Sequence, residues 1–181
     1  MNDLKHLLFL TQIEGLGAVR TKRLIDKFGS AENVFSAEPA SIAEIENISV
    51  KSARLILDAY NNFSDFESTF DEYITKAEKL NITILPLSSP DYPDLLKRIY
   101  DPPVILYIRG NQPPDKLVNS IGIVGTRKPT DYGKKMSERF AEELSSAGIA
   151  VISGFARGVD TFAHKAVLKN KNSTGITAAV F

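Results

Sequence analysis

The fold is decided by residues 121–164, IGIVGTRKPTDYGKKMSERFAEELSSAGIAVISGFARGVDTFAH. An unbroken apolar run, IGIVG at 121–125, enters a glycine-bearing turn and then a helix pattern over 132–148. A second apolar run, IAVISG at 149–154, enters a small-residue loop and a helix pattern over 160–170. A further run, TGITAAVF at 174–181, follows. Apolar runs without polar alternation are what strands buried on both faces look like. Strands alternating with helices at this spacing predict a parallel sheet with right-handed crossovers.

The pattern continues outward from there. ITILPL at 82–87 and VILYIRG at 104–110 read as two more strands, separated by the Ser- and Pro-rich turn SSPDYP and a short helical piece. NQPPD at 111–115 reads as a loop. Everything before about Leu80 has helical periodicity: 3–13, 18–28, 31–36, 39–45, 50–63, and 64–80 with Ser64 as N-cap. The expected architecture is α+β/α/β. A helical domain at 1–75 precedes a Rossmann-like parallel-sheet domain at 76–181 that is incomplete at its C-terminus, since such sheets usually run for more strands.

Composition narrows the function. The chain has 181 residues, 43% hydrophobic and 24% charged, so it is an ordinary globular sequence. It has no Cys and two His, which argues against a disulfide framework and a zinc site. No run approaches the roughly 18 apolar residues of a membrane span, so a cytoplasmic protein with no membrane partner is expected. The formal net charge is zero, but the two parts differ. Residues 1–112 carry 12 basic and 16 acidic side chains; residues 113–181 carry 10 and 6. A polyanion would therefore meet the second part.

Three motifs carry candidate chemistry. In EGLGAVRTKRLIDKFGS at 14–30, two helices joined by Gly15-Leu16-Gly17 resemble a helix-hairpin-helix. A helix N-terminus there offers N–H groups to a phosphate, with Arg20, Lys22 and Arg23 just beyond. A degraded copy lies at 44–57, with Asn47 and Ser49 at the glycine positions. Residues 1–60 carry 7 basic and 8 acidic side chains, so packing or partner docking is the expected role.

The second motif is IGIVGTRKPTDYG. Gly125 and Thr126 N–H groups, the Arg127 guanidinium and Lys128 would make a phosphate cradle at the carboxyl edge of the sheet. The third is VISGFARGVDTFAH. Ser153, Gly154, Ala156 and Gly158 leave backbone uncovered, and Arg157 adds charge. The two loops are expected to converge into one anion pocket. Lys134 and Lys135 would extend the basic groove, and Tyr132 and Phe155 could stack on bases, although burial between sheet and helix is the expected state of each. Asp131 and Asp160 are expected to cap helices, and His164 to pair with Asp160 at i, i+4.

Enzyme readings fare poorly. GIVGTR is not G-x-G-x-x-G, and the next strand ends in Ser153 rather than an acid, so a dinucleotide is disfavoured. No G-x-x-x-x-G-K-[ST] occurs, and Ser153 lacks the flanks of a nucleophile elbow. No cofactor is expected. Two alternatives stay open: a nucleotide-binding hydrolase of the lysine-decarboxylase-like group, whose PGGxGT-type loop is missing here, and a protein-docking scaffold.

PDYPDLLKRIYDPPVILYIRG at 90–110, IGIVGTRKPTDYG at 121–133 and ISGFARGVDTFAH at 152–164 occur in this order, and together they resemble the DNA-processing protein A family, also called Smf. The resemblance spans essentially the whole chain. It implies a SAM-like or helix-hairpin-helix-like domain before an extended Rossmann-like domain without a dinucleotide. It implies a non-enzymatic protein of natural transformation and recombination that binds and protects incoming single-stranded DNA and loads the RecA recombinase. The family's Gly-Ser-Arg motif falls on Gly125, Thr126 and Arg127, with Thr keeping the hydroxyl. Its Ser-Gly-x-Ala-x-Gly stretch falls on Ser153, Gly154, Ala156 and Gly158. Family members form homodimers through a surface expected to lie past the strand at 174–181.

Overall fold

The computed structural model describes residues 2–110 and 117–181, with the backbone alone at residue 2. The loop expected at 111–115 lies outside the described residues. The chain divides into two compact units, Met1–Asn111 and Gln112–Phe181.

Six helices open the first unit: α1 (Asn2–Gln12), α2 (Ala18–Phe28), α3 (Ala31–Phe35), α4 (Pro39–Ala43), α5 (Val50–Ala59) and α6 (Phe63–Lys79). Several of their ends have a local cause. Ser30 and Ser49 accept from the N–H three residues on, satisfying an orphan donor at the heads of α3 and α5. Pro39 opens α4, where its fixed φ costs nothing. Gly29, in the left-handed region, closes α2. Ser64 does not cap α6 as expected. A 3₁₀ turn at Tyr60–Asn62 leads into that helix one residue earlier, which places Ser64 inside it.

The periodic apolar positions meet in one core. Leu7, Leu10, Leu24, Val34, Ile42, Ile48 and Ile56 are all buried in it. Beside the core, aromatic rings stack: Phe35 on Tyr60 at 4.4 Å, Tyr60 on Phe63 at 4.8 Å and His6 on Phe63 at 4.5 Å between centroids.

The internal copy suspected in this unit has a backbone signature. Gly15 and Asn47 both have positive φ, at 78° and 65°. Gly17 and Ser49 both stand as extended N-caps two residues later. Asparagine is among the few side chains that tolerate this region, which is how the second turn manages without glycine.

The strands at 82–87 and 104–110 depart from expectation. β1 (Ile82–Pro86) and β2 (Ile105–Arg109) pair antiparallel with each other, from Ile82 opposite Arg109 to Pro86 opposite Ile105. They form a separate two-stranded sheet. Val104 is buried in the helical core, and Leu87 and Ile105 pack against it. With this packing the two strands lie within the first compact unit, Met1–Asn111. Between the two strands, the short helix α7 (Asp94–Lys97) is held by Tyr92, whose buried hydroxyl donates to the Pro103 carbonyl at 2.7 Å.

The second unit holds the parallel sheet. Its strands are β3 (Ser120–Gly122), β4 (Ala150–Gly154) and β5 (Thr177–Val180), in that order, with Ile121, Val151 and Thr177 in register. The crossover helices are α8 (Asp131–Ser146) and α9 (Val159–Lys169). They pack closely on each other and on β4 through small buried residues, Ser137, Ala141, Ser145 and Ala163. Val151 and Val167 complete this core. Asn170 ties the end of α9 to the end of α8, donating to the Glu142 carbonyl at 3.1 Å.

Leu24 is fully buried among the helices of the first unit. Leu24→Ala should lower the stability of that unit by about 2–5 kcal/mol, the usual range for a buried leucine. Urea unfolding followed by far-UV circular dichroism checks this; an unchanged midpoint would contradict the core assignment.

Candidate functional site

Two turns leave the carboxyl ends of adjacent parallel strands, β3 and β4, and each runs into a helix. The structure brings them into contact. The Val159 N–H, at the head of α9, donates to the Thr126 carbonyl at 3.2 Å. Gly158 sits against the backbone of Thr126 and Arg127: a Cβ built on it would lie 2.2 Å from the Thr126 oxygen and 2.7 Å from the Arg127 Cα. Its φ is 93°, a conformation open to glycine. From the other side, the Val159 side chain occupies the space beside Gly125, where a Cβ would come within 2.7 Å of Val159 Cγ2. The expected convergence of the two glycine loops is present as a tight backbone junction. Val159, which sequence reasoning passed over, is its filler; an apolar residue directly after Arg157-Gly158 was the available signal.

The backbone at this edge is unspent. Among the described residues, nothing accepts a hydrogen bond from the N–H groups of Gly125, Thr126, Arg127 or Ala156. The Lys128 N–H is used internally, donating to Thr126 Oγ1 at 3.2 Å and closing a small turn. That bond leaves the Thr126 hydroxyl proton available.

Charge is distributed in the same sense. Arg127, Lys128 and Arg157 are exposed and make no ion pair among the described residues. Lys134 differs, lying 3.0 Å from Asp131 on its own helix and over the Phe162 ring. Lys135 is exposed and unpaired. In the helical unit the cations next to the Gly-Leu-Gly turn are occupied. Lys22 pairs with Asp26, Arg23 with Glu46 at 2.8 Å and Lys27 with Glu44 at 2.7 Å, while Arg20 donates to the Gly15 carbonyl. Gly15, Gly17 and Lys22 thus sit in a locally neutralised hairpin.

Other side chains fall differently from expectation. Ser153 is 2% exposed, and its hydroxyl donates to the Ile123 carbonyl at 2.6 Å. It staples β4 to the strand beside it and offers no proton to a ligand. Gly154 is closely covered, since a Cβ there would meet Asp160 Oδ2 at 2.6 Å. Thr130, not Asp131, caps α8, accepting from the Gly133 N–H. Asp160 stands in the first turn of α9 behind Gly158 as N-cap. His164 spends its ring nitrogens on Thr177 Oγ1, at 2.6 Å, and the Gly154 carbonyl, at 2.9 Å. Tyr132 and Phe155 are not buried: they are 73% and 78% exposed. Tyr132 faces outward in the first turn of α8, and Phe155 stands on the loop after β4, where no helix covers it. The Phe155 ring lies 5.8 Å from that of Phe181.

Comparison with known proteins is consistent along the chain. The family model for DNA recombination-mediator protein A matches residues 83–181, and one for a SAM-like helix-hairpin-helix tandem matches 7–61. Protein Smf of Synechocystis sp. is 32% identical over 167 residues, 91% of this chain and 41% of that protein. DNA processing protein DprA of Bacillus subtilis is 32% identical over 159 residues, 87% of this chain and 52% of that protein. The X-ray structure of DNA processing protein A from Streptococcus pneumoniae superposes with a TM-score of 0.69 at 25% identity, covering 97% of this chain and 56% of that one. The chain spans about half the length of the relatives it matches.

The junction at Gly158 makes a sharp forecast. Gly158→Ala should destabilise the second unit by about 1–3 kcal/mol or more through backbone strain, with the steric clash added. Gly122→Ala, with nothing within 4 Å of its Cβ position, should be close to neutral. Paired thermal melts check the contrast; equal melting temperatures for the two variants would refute the packing described.

Proposed function

Because the chain belongs to the DNA recombination-mediator protein A family, we propose that it binds single-stranded DNA by its phosphates, at the junction of the two glycine loops. The observation that carries this reading is the coincidence, on one sheet edge, of undonated backbone N–H groups with arginines that have no acidic partner among the described residues. Such groups suit a phosphodiester: N–H dipoles and a forked guanidinium match its oxygens. Gly125, Thr126 and Arg127 form one wall. Ala156, Arg157 and Gly158 form the other, with Lys128 alongside. Ser153 and Gly154 serve as scaffold beneath the turn. Exposed Tyr132 and Phe155 offer ring faces to unstacked bases, which a single strand presents and a duplex does not.

In this reading the protein is a non-enzymatic, cytoplasmic DNA-binding factor of transformation and recombination. It shields incoming DNA and passes it to RecA. Homodimerisation belongs to the same proposal for the longer relatives. The helical unit serves packing or partner contacts more than DNA, because its hairpin cations are already paired with its own acids.

Two outcomes follow for fluorescence anisotropy with a labelled oligo-dT. Arg127→Ala should weaken binding by about 1–3 kcal/mol, the range for hydrogen bonds to charged groups. An unaltered affinity at fixed salt would remove Arg127 from the site. For the unaltered protein, log affinity should fall linearly with log salt, with a slope of about −0.7 for each phosphate neutralised on a single strand. A flat salt profile would contradict a phosphate-led mechanism.

A further inference from the structure

Asp160 is the one acidic side chain at this edge that is buried, and the phosphate site does not use it. It lies in the first turn of α9 and is 6% exposed. Its carboxylate makes no hydrogen bond or ion pair among the described residues. Both oxygens still reach solvent, because no side-chain oxygen sealed from it lacks a partner among the described residues. The dipole at the head of α9 offsets part of the charge. A carboxylate held this deep remains costly until donors reach it.

Its place on the fold says what those donors belong to. Oδ2 lies 2.6 Å from the Cβ position of Gly154, and the Val180 carbonyl oxygen lies 3.9 Å from the same point. Gly154 and Val180 are register partners at the carboxyl ends of β4 and β5. The residues directly after them, Phe155 and Phe181, are exposed, and their rings lie 5.8 Å apart. One pair of strand ends thus carries ring faces for a flat ligand and an acceptor for its edge. On the neighbouring turns, the free N–H groups of Gly125, Thr126, Arg127 and Ala156 call for an anion. Asp160 repels an anion and calls for donors. A ligand that meets both demands has a phosphate and, apart from it, a flat ring bearing N–H groups: a nucleotide with a donor-rich base.

Chemistry selects the base. The two oxygens of a carboxylate accept, and two parallel N–H bonds match them best. Of the four DNA bases, guanine presents two adjacent donors, N1–H and the N2 amino group, on its pairing edge. Adenine and cytosine set the amino group beside a ring-nitrogen lone pair, and thymine sets N3–H between two carbonyls. Each of these turns an acceptor toward the second carboxylate oxygen. A single strand leaves the pairing edge free to be read. We propose that Asp160 reads guanine in single-stranded DNA, taking N1–H and N2–H on its two oxygens while Phe155 and Phe181 hold the base by its face. This preference rests on the phosphate reading given above and adds base selectivity to it.

Fluorescence anisotropy on the full chain at fixed salt tests this, in EDTA so that no metal bridges Asp160 to a phosphate. Three labelled strands are compared: plain oligo-dT, oligo-dT carrying isolated guanines, and the same strand with hypoxanthine at those positions. Hypoxanthine keeps N1–H and lacks the N2 amino group. Guanine should tighten binding over plain oligo-dT by about 5- to 150-fold, the span for a good bidentate base contact, with hypoxanthine in between. In Asp160→Asn the guanine-to-hypoxanthine ratio should fall toward one. A carboxylate that only supports the fold would change all three affinities in parallel, and an unchanged ratio in the folded variant would overturn the proposal. The hypoxanthine comparison needs no variant, so a poorly folded Asp160→Asn leaves the test intact. Equal affinity for all three strands would overturn the base preference and leave the phosphate reading standing. If no strand binds, the phosphate reading falls, and 5′-dGMP and 5′-dIMP, titrated in turn against the Gly154 amide signal in ¹H–¹⁵N NMR, decide the base site. A shift with dGMP that dIMP does not match supports it; equal shifts, or none, overturn it.

Discussion

The second unit turns on one close approach: Gly158 against the peptide of Thr126 and Arg127. Parallel strands leave their carboxyl ends side by side, but that alone does not make their turns touch. Contact requires one turn to present no side chain and to take a left-handed backbone. Gly158 does both, and Val159 then reaches back to the Thr126 carbonyl with its N–H and to Gly125 with its methyl groups. The two turns become one rigid rim. Their remaining N–H groups are fixed before any ligand arrives, so little ordering entropy is left to lose on binding.

Rigidity of the backbone is matched by a division of charge. The chain as a whole is neutral, yet its cations are in different states. Around the first helical hairpin, lysines and arginines are matched with acids within the same unit. Exposed pairs of this kind contribute roughly 0–1 kcal/mol each, so their main effect is to cancel local field. At the sheet edge, Arg127, Lys128 and Arg157 have no such partners among the described residues, and their field reaches solvent. In the proposed reading, this difference directs an incoming polyanion.

Much of this was legible in the sequence, for identifiable reasons. Long periodic segments and uninterrupted apolar runs announce helices and strands, and they gave six helices and the order β3-α8-β4-α9-β5; of the three strands expected to be buried on both faces only β4 is, while Ile121 and Val180 on its neighbours are exposed. Asn47 and Ser49 stood at the glycine positions of a second hairpin, and the backbone angles agree. What was not legible is pairing. A five-residue apolar strand such as Ile105–Arg109 carries no mark of its neighbour. Its membership in an antiparallel sheet goes with Val104 being buried in the helical core, among residues far earlier in the chain. The site shows the same limit. Ser153 and His164 were visible as polar groups beside a ligand edge, but their partners, Ile123 for the first and Thr177 and Gly154 for the second, lie on other segments of the chain. Local spacing offered Asp160 as the mate of His164, and tertiary contacts replaced it.

That replacement explains why polar residues are concentrated behind the rim. A turn that exposes bare N–H groups to a phosphate cannot spend them on holding itself in place, so its restraint must come from its carbonyls and from beneath. Ser153 donates to the Ile123 carbonyl, His164 to that of Gly154, and Thr161 to that of Ala156 at 2.8 Å. All three side-chain donors are directed at carbonyl oxygens, and none takes up a loop N–H that a phosphate could use. The second turn is thus anchored through its own carbonyls at Gly154 and Ala156, and the proposed phosphate contacts draw on its N–H groups instead.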